Sequence, residues 1–397
     1  MKSVIIIGGG IVGLAIAREL SLKGYKNLTI VEKESNIAKH QSSRNSGVMH
    51  AGLYYAPGSL KQKLSREGIK LMKEFCNMHK IKWRECGKIV VATNKNEEIR
   101  FSELYERGLK NNLKNLEILS TKEISRLEPY ICAYKGIRVP EESIVDYREV
   151  SECFLKEILS NGGVIKYNSK IIKIENHKNN FKRLKLSSGD YLEANIIIAA
   201  SGLYSDKVSE LLKFNINNQK IIPFRGEYYK FKNNYNYLVK NLVYPLPNKN
   251  FPFLGCHLTK MIDGTLEAGP NAVLALAREG YDWKKFNLVE LLESLKFPGL
   301  RNFLLKYPGT TISEVARSFS KELFINNLKS MLPEVNPNML ERGESGVRAQ
   351  LMTNNGELIQ DFDIRIKSDI ISILNAPSPA ATSSIAIAKY VLKYADL

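Results

Sequence analysis

The chain has 397 residues, 44% hydrophobic and 25% charged, a composition ordinary for a globular protein and a length sufficient for two domains. Its five cysteines (Cys76, Cys86, Cys132, Cys153, Cys256) are scattered with no CxxC spacing, which argues against a zinc knuckle or a disulfide framework and makes a reducing compartment the expectation. The formal net charge of +17 attracts anions, whether nucleic acid, anionic lipid or an acidic substrate, and is also what lysine-dominated solvated faces produce. No run approaches the roughly 18 apolar residues of a membrane span, and the apolar run at residues 4–7 is too short for a signal peptide.

Taken in chain order, Val4-Ile5-Ile6-Ile7 is a continuous β-branched run, as expected of a strand buried on both faces of a parallel sheet. Gly8-Gly9-Gly10-Ile11-Val12-Gly13 follows. Residues 14–23 then read as a helix with Leu14, Ala17, Leu20 and Ser21 on one face and Gly24 as its stop. A second buried strand at 28–31 ends in Glu32. Each glycine has a physical reason: Gly8 for the tight strand-to-helix turn, Gly10 for close approach of the backbone to a pyrophosphate, Gly13 for packing of helix on sheet. The helix N-terminus favours the negative pyrophosphate, and Glu32 is placed to accept hydrogen bonds from ribose hydroxyls. A dinucleotide is therefore expected.

FAD is favoured over NAD because Glu32 is followed by a polar loop, Gln41-Ser42-Ser43-Arg44-Asn45-Ser46-Gly47, in place of further βαβ repeats. Residues 191–202 read as another buried strand, ending in the small residues Ala200-Ser201-Gly202 that let a cofactor lie against the backbone. Residues 371–374 read as a strand, and the small-residue turn 375–384 leads into a helix at 385–394, whose N-terminus suits the charge of a reduced flavin. The fold expected is α/β, in an α+β mixture. Its Rossmann-like FAD-binding domain is discontinuous, formed by residues 1–75, 146–210 and 341–397, with 76–145 and 211–340 inserted as a substrate domain.

These three segments in this order resemble the D-amino-acid-oxidase-like FAD oxidoreductases, which implies a mixed sheet in the inserted domain. Within that superfamily the stretch Ser42 to Tyr55 (SSRNSGVMHAGLYY) is similar to the L-2-hydroxyglutarate dehydrogenases and oxidases. So are residues 223–229 (PFRGEYY), 251–257 (FPFLGCH), 269–275 (GPNAVLA), 345–350 (SGVRAQ) and 375–384. Cys256, where a Val-like residue is expected, and Ser201, often Gly in relatives, are small departures. The resemblance implies flavin-dependent oxidation of L-2-hydroxyglutarate to 2-oxoglutarate, with electrons passed to a quinone or oxygen. Cofactor contacts are expected at Gly8, Gly10, Ile11, Val12, Gly13, Glu32 and Lys33. The polar loop adds Ser42, Ser43, Arg44, Asn45, Ser46 and Gly47. Ile171, Ala200, Ser201, Gly202, Arg348, Pro379, Ala380, Ala381 and Thr382 complete the set.

Oxidising a 2-hydroxy acid requires a base for the hydroxyl proton and a binding site for carboxylates, the hydride chemistry being the cofactor's. Of five histidines, His79 and His177 lie in Lys/Asn-rich surroundings and read as surface, while His40 precedes the polar loop. His50 and His257 sit in the family-like stretches and are the candidate bases, His50 first; a structural histidine is the competing reading for each. Arg225 and Arg348, both in apolar or glycine-rich settings, are the candidate carboxylate partners, against an internal salt bridge such as Arg225 with Glu227. Tyr54, Tyr55 and Tyr244 offer hydroxyl donors. The FAD is expected to be noncovalent, and no metal site and no nucleic-acid partner are expected. A cytoplasmic location is expected, with peripheral contact on the inner face of the membrane as a further reading of the basic charge.

Overall fold

A computed structural model describes residues 2–178, 181–248 and 253–397; Phe251 and Pro252, which open one of the family-like stretches, lie outside them. One sheet carries six strands in the order Asp363–Lys367, Ile370–Asn375, Ile196–Ala199, Val4–Ile7, Leu28–Val31, Val164–Lys166. All neighbours are parallel except the edge strand Asp363–Lys367. Val4–Ile7 is central and wholly buried, which explains why its sequence has no polar face. Helix Ile11–Leu22 covers this sheet and ends as its sequence suggests. Gly24 adopts φ +88°, its N–H donates to Ser21 O (3.0 Å), and that of Tyr25 donates to Leu20 O (3.1 Å).

Two local expectations are corrected. Residues 191–200 form two strands: Tyr191–Ala194 joins a small antiparallel sheet with Ile171–Asn176 and Lys182–Leu186, while Ile196–Ala199 enters the six-stranded sheet. The change occurs at Asn195. The backbone N–H groups of Asn195 and Ile196 both donate to Ser3 O (3.1 and 3.0 Å), and Asn195 Oδ1 accepts from Ser3 N–H (2.9 Å). The last helix begins at Ala380, earlier than 385, and runs to Tyr394. Its small first residues pack closely on helix Leu60–Met78, where a Cβ on Gly68 would meet Ser383 Cα at 2.6 Å.

The largest sheet takes its strands from residues 88–139, 220–274 and 340–352. Its backbone is the pairing of Lys220–Phe231 with Leu340–Met352, antiparallel along almost their full length, with Phe224 opposite Arg348 and Arg225 opposite Val347. Leu340–Met352, which begins at the boundary drawn from sequence at 341, thus lies in the large sheet. A further small sheet pairs Ser143–Val145 with Val48–Met49 and with Trp83–Glu85. It fixes the chain just before His50 and just after Glu142.

Candidate active site

The N-terminal turn is sterically determined. Gly8 has φ +112°, and a Cβ there would lie 2.4 Å from Ala200 O; a Cβ at Gly13 would lie 2.1 Å from Gly8 O. The first helical turn carries no acidic residue, so its dipole is free for an anion. Glu32 is held at the strand end by Gly9 N–H (2.6 Å) and Glu34 N–H (2.9 Å). It lines a cavity of about 720 Å³ together with Gly8, Lys33, Ile171, Ser201 and Arg278. A second cavity, of about 370 Å³, opens on the other side of the turn. Gly10, Gln41, Ser42, Ala200 and Gly202 line both, so the two form one trough across the C-terminal ends of the parallel strands. An extended dinucleotide fits this shape, and at Gly10, where the two cavities meet, a Cβ would come within 3.2 Å of Ser42 Oγ.

The smaller cavity gathers the candidate chemistry: His50, His257, Arg348, Tyr54, Tyr55 and Tyr244 line it, together with Pro379, Ala380, Ala381 and Thr382 at the start of the last helix. His50 is anchored by its backbone N–H, which donates to Thr382 Oγ1 (3.2 Å). Its Nδ1 lies 3.3 Å from Glu142 Oε2, ion-pair distance without the alignment of a hydrogen bond. The other Glu142 oxygen accepts from Lys88 Nζ at 2.6 Å, and neither of these two side chains is exposed. Burial alone would raise the Glu142 carboxyl, but the Lys88 ammonium and then His50 outweigh it and hold it at about 2. Burial, then the positive charge of Arg348, pushes His257 well below the usual imidazole range, so it is neutral; its ring stacks on Tyr244 at 3.9 Å. Burial and the nearby Glu142 keep the Tyr54 phenol well above its ordinary value, and its buried hydroxyl has no hydrogen-bond partner among the described residues.

Arg348 lies deep in the fold yet is open to the cavity, 5.3 Å from the centre of the Phe253 ring. Among the described residues no carboxylate pairs with it. Arg225 is not brought to this group. One residue beyond the Phe224–Arg348 pair, it projects from the opposite face of the sheet. There it is fully buried, bound to Glu227 through Nε (3.0 Å) and Nη2 (2.9 Å) and stacked on Trp283 at 4.3 Å. The internal salt bridge therefore replaces the expected substrate contact at Arg225.

The remaining candidates divide by position. Ile11, Val12, Arg44, Asn45 and Ser46 line the smaller cavity, whereas Ser43 and Gly47 line an adjoining recess of about 210 Å³. Gly13 lines neither cavity; its part is helix packing. His40 lies at the larger cavity in a cluster with Glu34 and Glu279, whose centre is taken by the Lys33 ammonium, hydrogen-bonded to both carboxylates. His79 is half-buried against Phe75 (4.3 Å), which corrects its reading as a surface residue, while His177 is exposed. Sequence reading missed Glu142 and Lys88 altogether. The one signal was a lysine heading the apolar strand Lys88–Ala92, on the same face as the core residues Val90 and Ala92.

The family described as FAD dependent oxidoreductase matches residues 3–394. A relative named L-2-hydroxyglutarate dehydrogenase, from Indibacter alkaliphilus, is 45% identical over 99% of this chain and 98% of its own length. Another, named L-2-hydroxyglutarate dehydrogenase, mitochondrial, from Dictyostelium discoideum, is 42% identical over 99% of this chain and 92% of its own. Among solved structures, L-alpha-glycerophosphate oxidase from Mycoplasma pneumoniae with FAD bound superposes with a TM-score of 0.80. That match spans 100% of this chain and 95% of the other at 24% identity, a likeness of fold.

Proposed function

From the premise that this chain belongs to the FAD-dependent oxidoreductase family, and within it to the L-2-hydroxyglutarate dehydrogenases, we propose that it oxidises L-2-hydroxyglutarate to 2-oxoglutarate. The observation that carries this reading is the convergence of an arginine without a carboxylate partner, Arg348, and a carboxylate-backed histidine, His50, on the cavity beside the glycine turn. FAD, when bound, supplies the acceptor for the hydride leaving C2. The chain's own residues do the rest. Arg348 binds one substrate carboxylate with its guanidinium fork. The Tyr54 hydroxyl, unpaired and protonated, donates to the other, with Tyr55 and Tyr244 beside it. His50 turns Nδ1 to Glu142, and its Nε2 takes the hydroxyl proton. His257, kept neutral, is the second candidate base. The N-terminus of the last helix stabilises negative charge on its side of the cavity. Turnover of L-2-hydroxyglutarate, with 2-oxoglutarate formed in equal amount, is the expected result with a soluble quinone or oxygen as acceptor. Turnover of an amino acid or glycerol 3-phosphate instead would keep the fold and overturn the substrate.

The attachment of FAD is proposed to be noncovalent, because among the described residues no cysteine lines either cavity. Acid precipitation of the holoprotein is expected to leave all yellow colour in the supernatant; colour retained in the pellet would contradict this. For location we propose the cytoplasm, with peripheral contact on the inner face of the membrane. Supporting it are the +17 charge and exposed apolar residues Phe286, Leu288, Val289 and Leu292 close to the exposed Lys284, Lys285 and Lys296. Among the described residues no helix is long and apolar enough to cross a membrane. Co-sedimentation with anionic vesicles at low salt, lost at high salt, is expected; a protein that stays in solution throughout would exclude such docking.

A further inference from the structure

Lys88 and Glu142 form a wholly buried ion pair directly behind the cavity, and neither side chain lines it. Apolar residues of similar size in place of such a pair generally cost no stability and often add it. Glu142 Oε1 also accepts from Ala51 N–H (3.2 Å), next to His50, and Oε2 lies 3.3 Å from His50 Nδ1. The Lys88 ammonium is boxed by the rings of Tyr54 (4.7 Å) and Tyr244 (5.2 Å), both of which line the cavity. Every partner of the pair is thus a cavity residue or its immediate neighbour.

Building on the proposed role of His50 as base, we propose that Lys88 and Glu142 are positioning residues. Glu142 fixes the imidazole with its Nδ1 proton inward and Nε2 toward the cavity, and the Lys88 countercharge offsets the pull of the carboxylate so that the imidazole is free to accept a proton. A buried carboxylate without that countercharge would favour the imidazolium. The other groups around His50 do not supply the offset in its place. Tyr54, Tyr55, Tyr147 and Tyr244 are all held neutral by burial, which raises each phenol. Burial and Arg348 likewise keep His257 neutral. Arg348 itself is committed to the cavity side.

The test uses the FAD-loaded enzyme with ¹⁵N-labelled histidine, which leaves only five imidazole rings, each with its Nδ1 and Nε2 signals, to assign. In the wild type His50 is expected as the Nδ1–H tautomer. In Lys88→Met the Glu142–His50 pair takes up a proton at higher pH, so the acid limb of the kcat profile moves up by about one pH unit, with KM little changed. The double variant Lys88→Met/Glu142→Leu removes both charges. It is expected to melt near the wild-type temperature, to show a mixed His50 tautomer, and to lose about 10–100-fold in kcat. Should the double variant fail to fold, Lys88→Met alone decides. An unchanged His50 tautomer in the double variant, or a wild-type pH profile in Lys88→Met, would overturn the proposal. The NMR readout needs no substrate, so a wild type that ignores L-2-hydroxyglutarate sinks the substrate reading without deciding the fate of this pair.

Discussion

His50→Ala is expected to lower kcat for L-2-hydroxyglutarate by about 10²–10⁴-fold while retaining a full complement of FAD, the usual loss on removing a general base. The backbone anchor of His50 to Thr382 is made by its N–H and survives the substitution, so the cofactor side of the cavity is undisturbed. His257→Ala is expected to cost less in kcat. That ring is neutral, stacked on Tyr244, and has Thr259 Oγ1 3.4 Å from its Nδ1, an arrangement that packs and orients. Stopped-flow reduction of the flavin in both variants separates the two. Near-normal reduction rates in both would contradict a histidine base.

Arg348→Met is expected to lower kcat/KM by about 10²–10³-fold, the equivalent of ~3–4 kcal/mol for truncating one partner of a buried charge pair. The same variant is expected to melt no earlier than the wild type, because a deeply placed guanidinium without a carboxylate partner costs stability in the free protein. Arg225→Met should show the opposite pattern. It leaves Glu227 without its guanidinium partner, so the melting temperature falls while KM stays near the wild-type value. Steady-state kinetics and thermal melts on this pair therefore separate a ligand-binding arginine from a structural one. Loss of substrate affinity in Arg225→Met, with Arg348→Met unaffected, would reverse the assignment.

The contrast between these two arginines shows where sequence reading reaches its limit. Both stand in apolar, glycine-bearing stretches, and the one local difference is Glu227, two residues after Arg225. Only the cross-strand register that sets Phe224 opposite Arg348 sends the two side chains to opposite faces. The N-terminal turn was legible because its constraints are local: a doubly buried strand, glycines where a Cβ would strike Ala200 O or Gly8 O, and an acid at the end of the next strand. The break at Asn195 was not, because it depends on Ser3, 192 residues away. The early start of the last helix was hidden in the same way, since its small residues serve contact with Gly68 and look from sequence like a turn. Lys88 and Glu142 are 54 residues apart, in stretches with no distinguishing motif, and acquire meaning only through their joint burial behind His50.

The most direct test of the central assignment is anaerobic mixing of the FAD-loaded protein with L-2-hydroxyglutarate while the flavin absorbance is followed. Rapid bleaching of the oxidised flavin band, with 2-oxoglutarate formed in one-to-one amount and no bleaching by the D enantiomer, is the expected result. A flavin that stays oxidised with L-2-hydroxyglutarate and bleaches with another acid, an amine or glycerol 3-phosphate would contradict it.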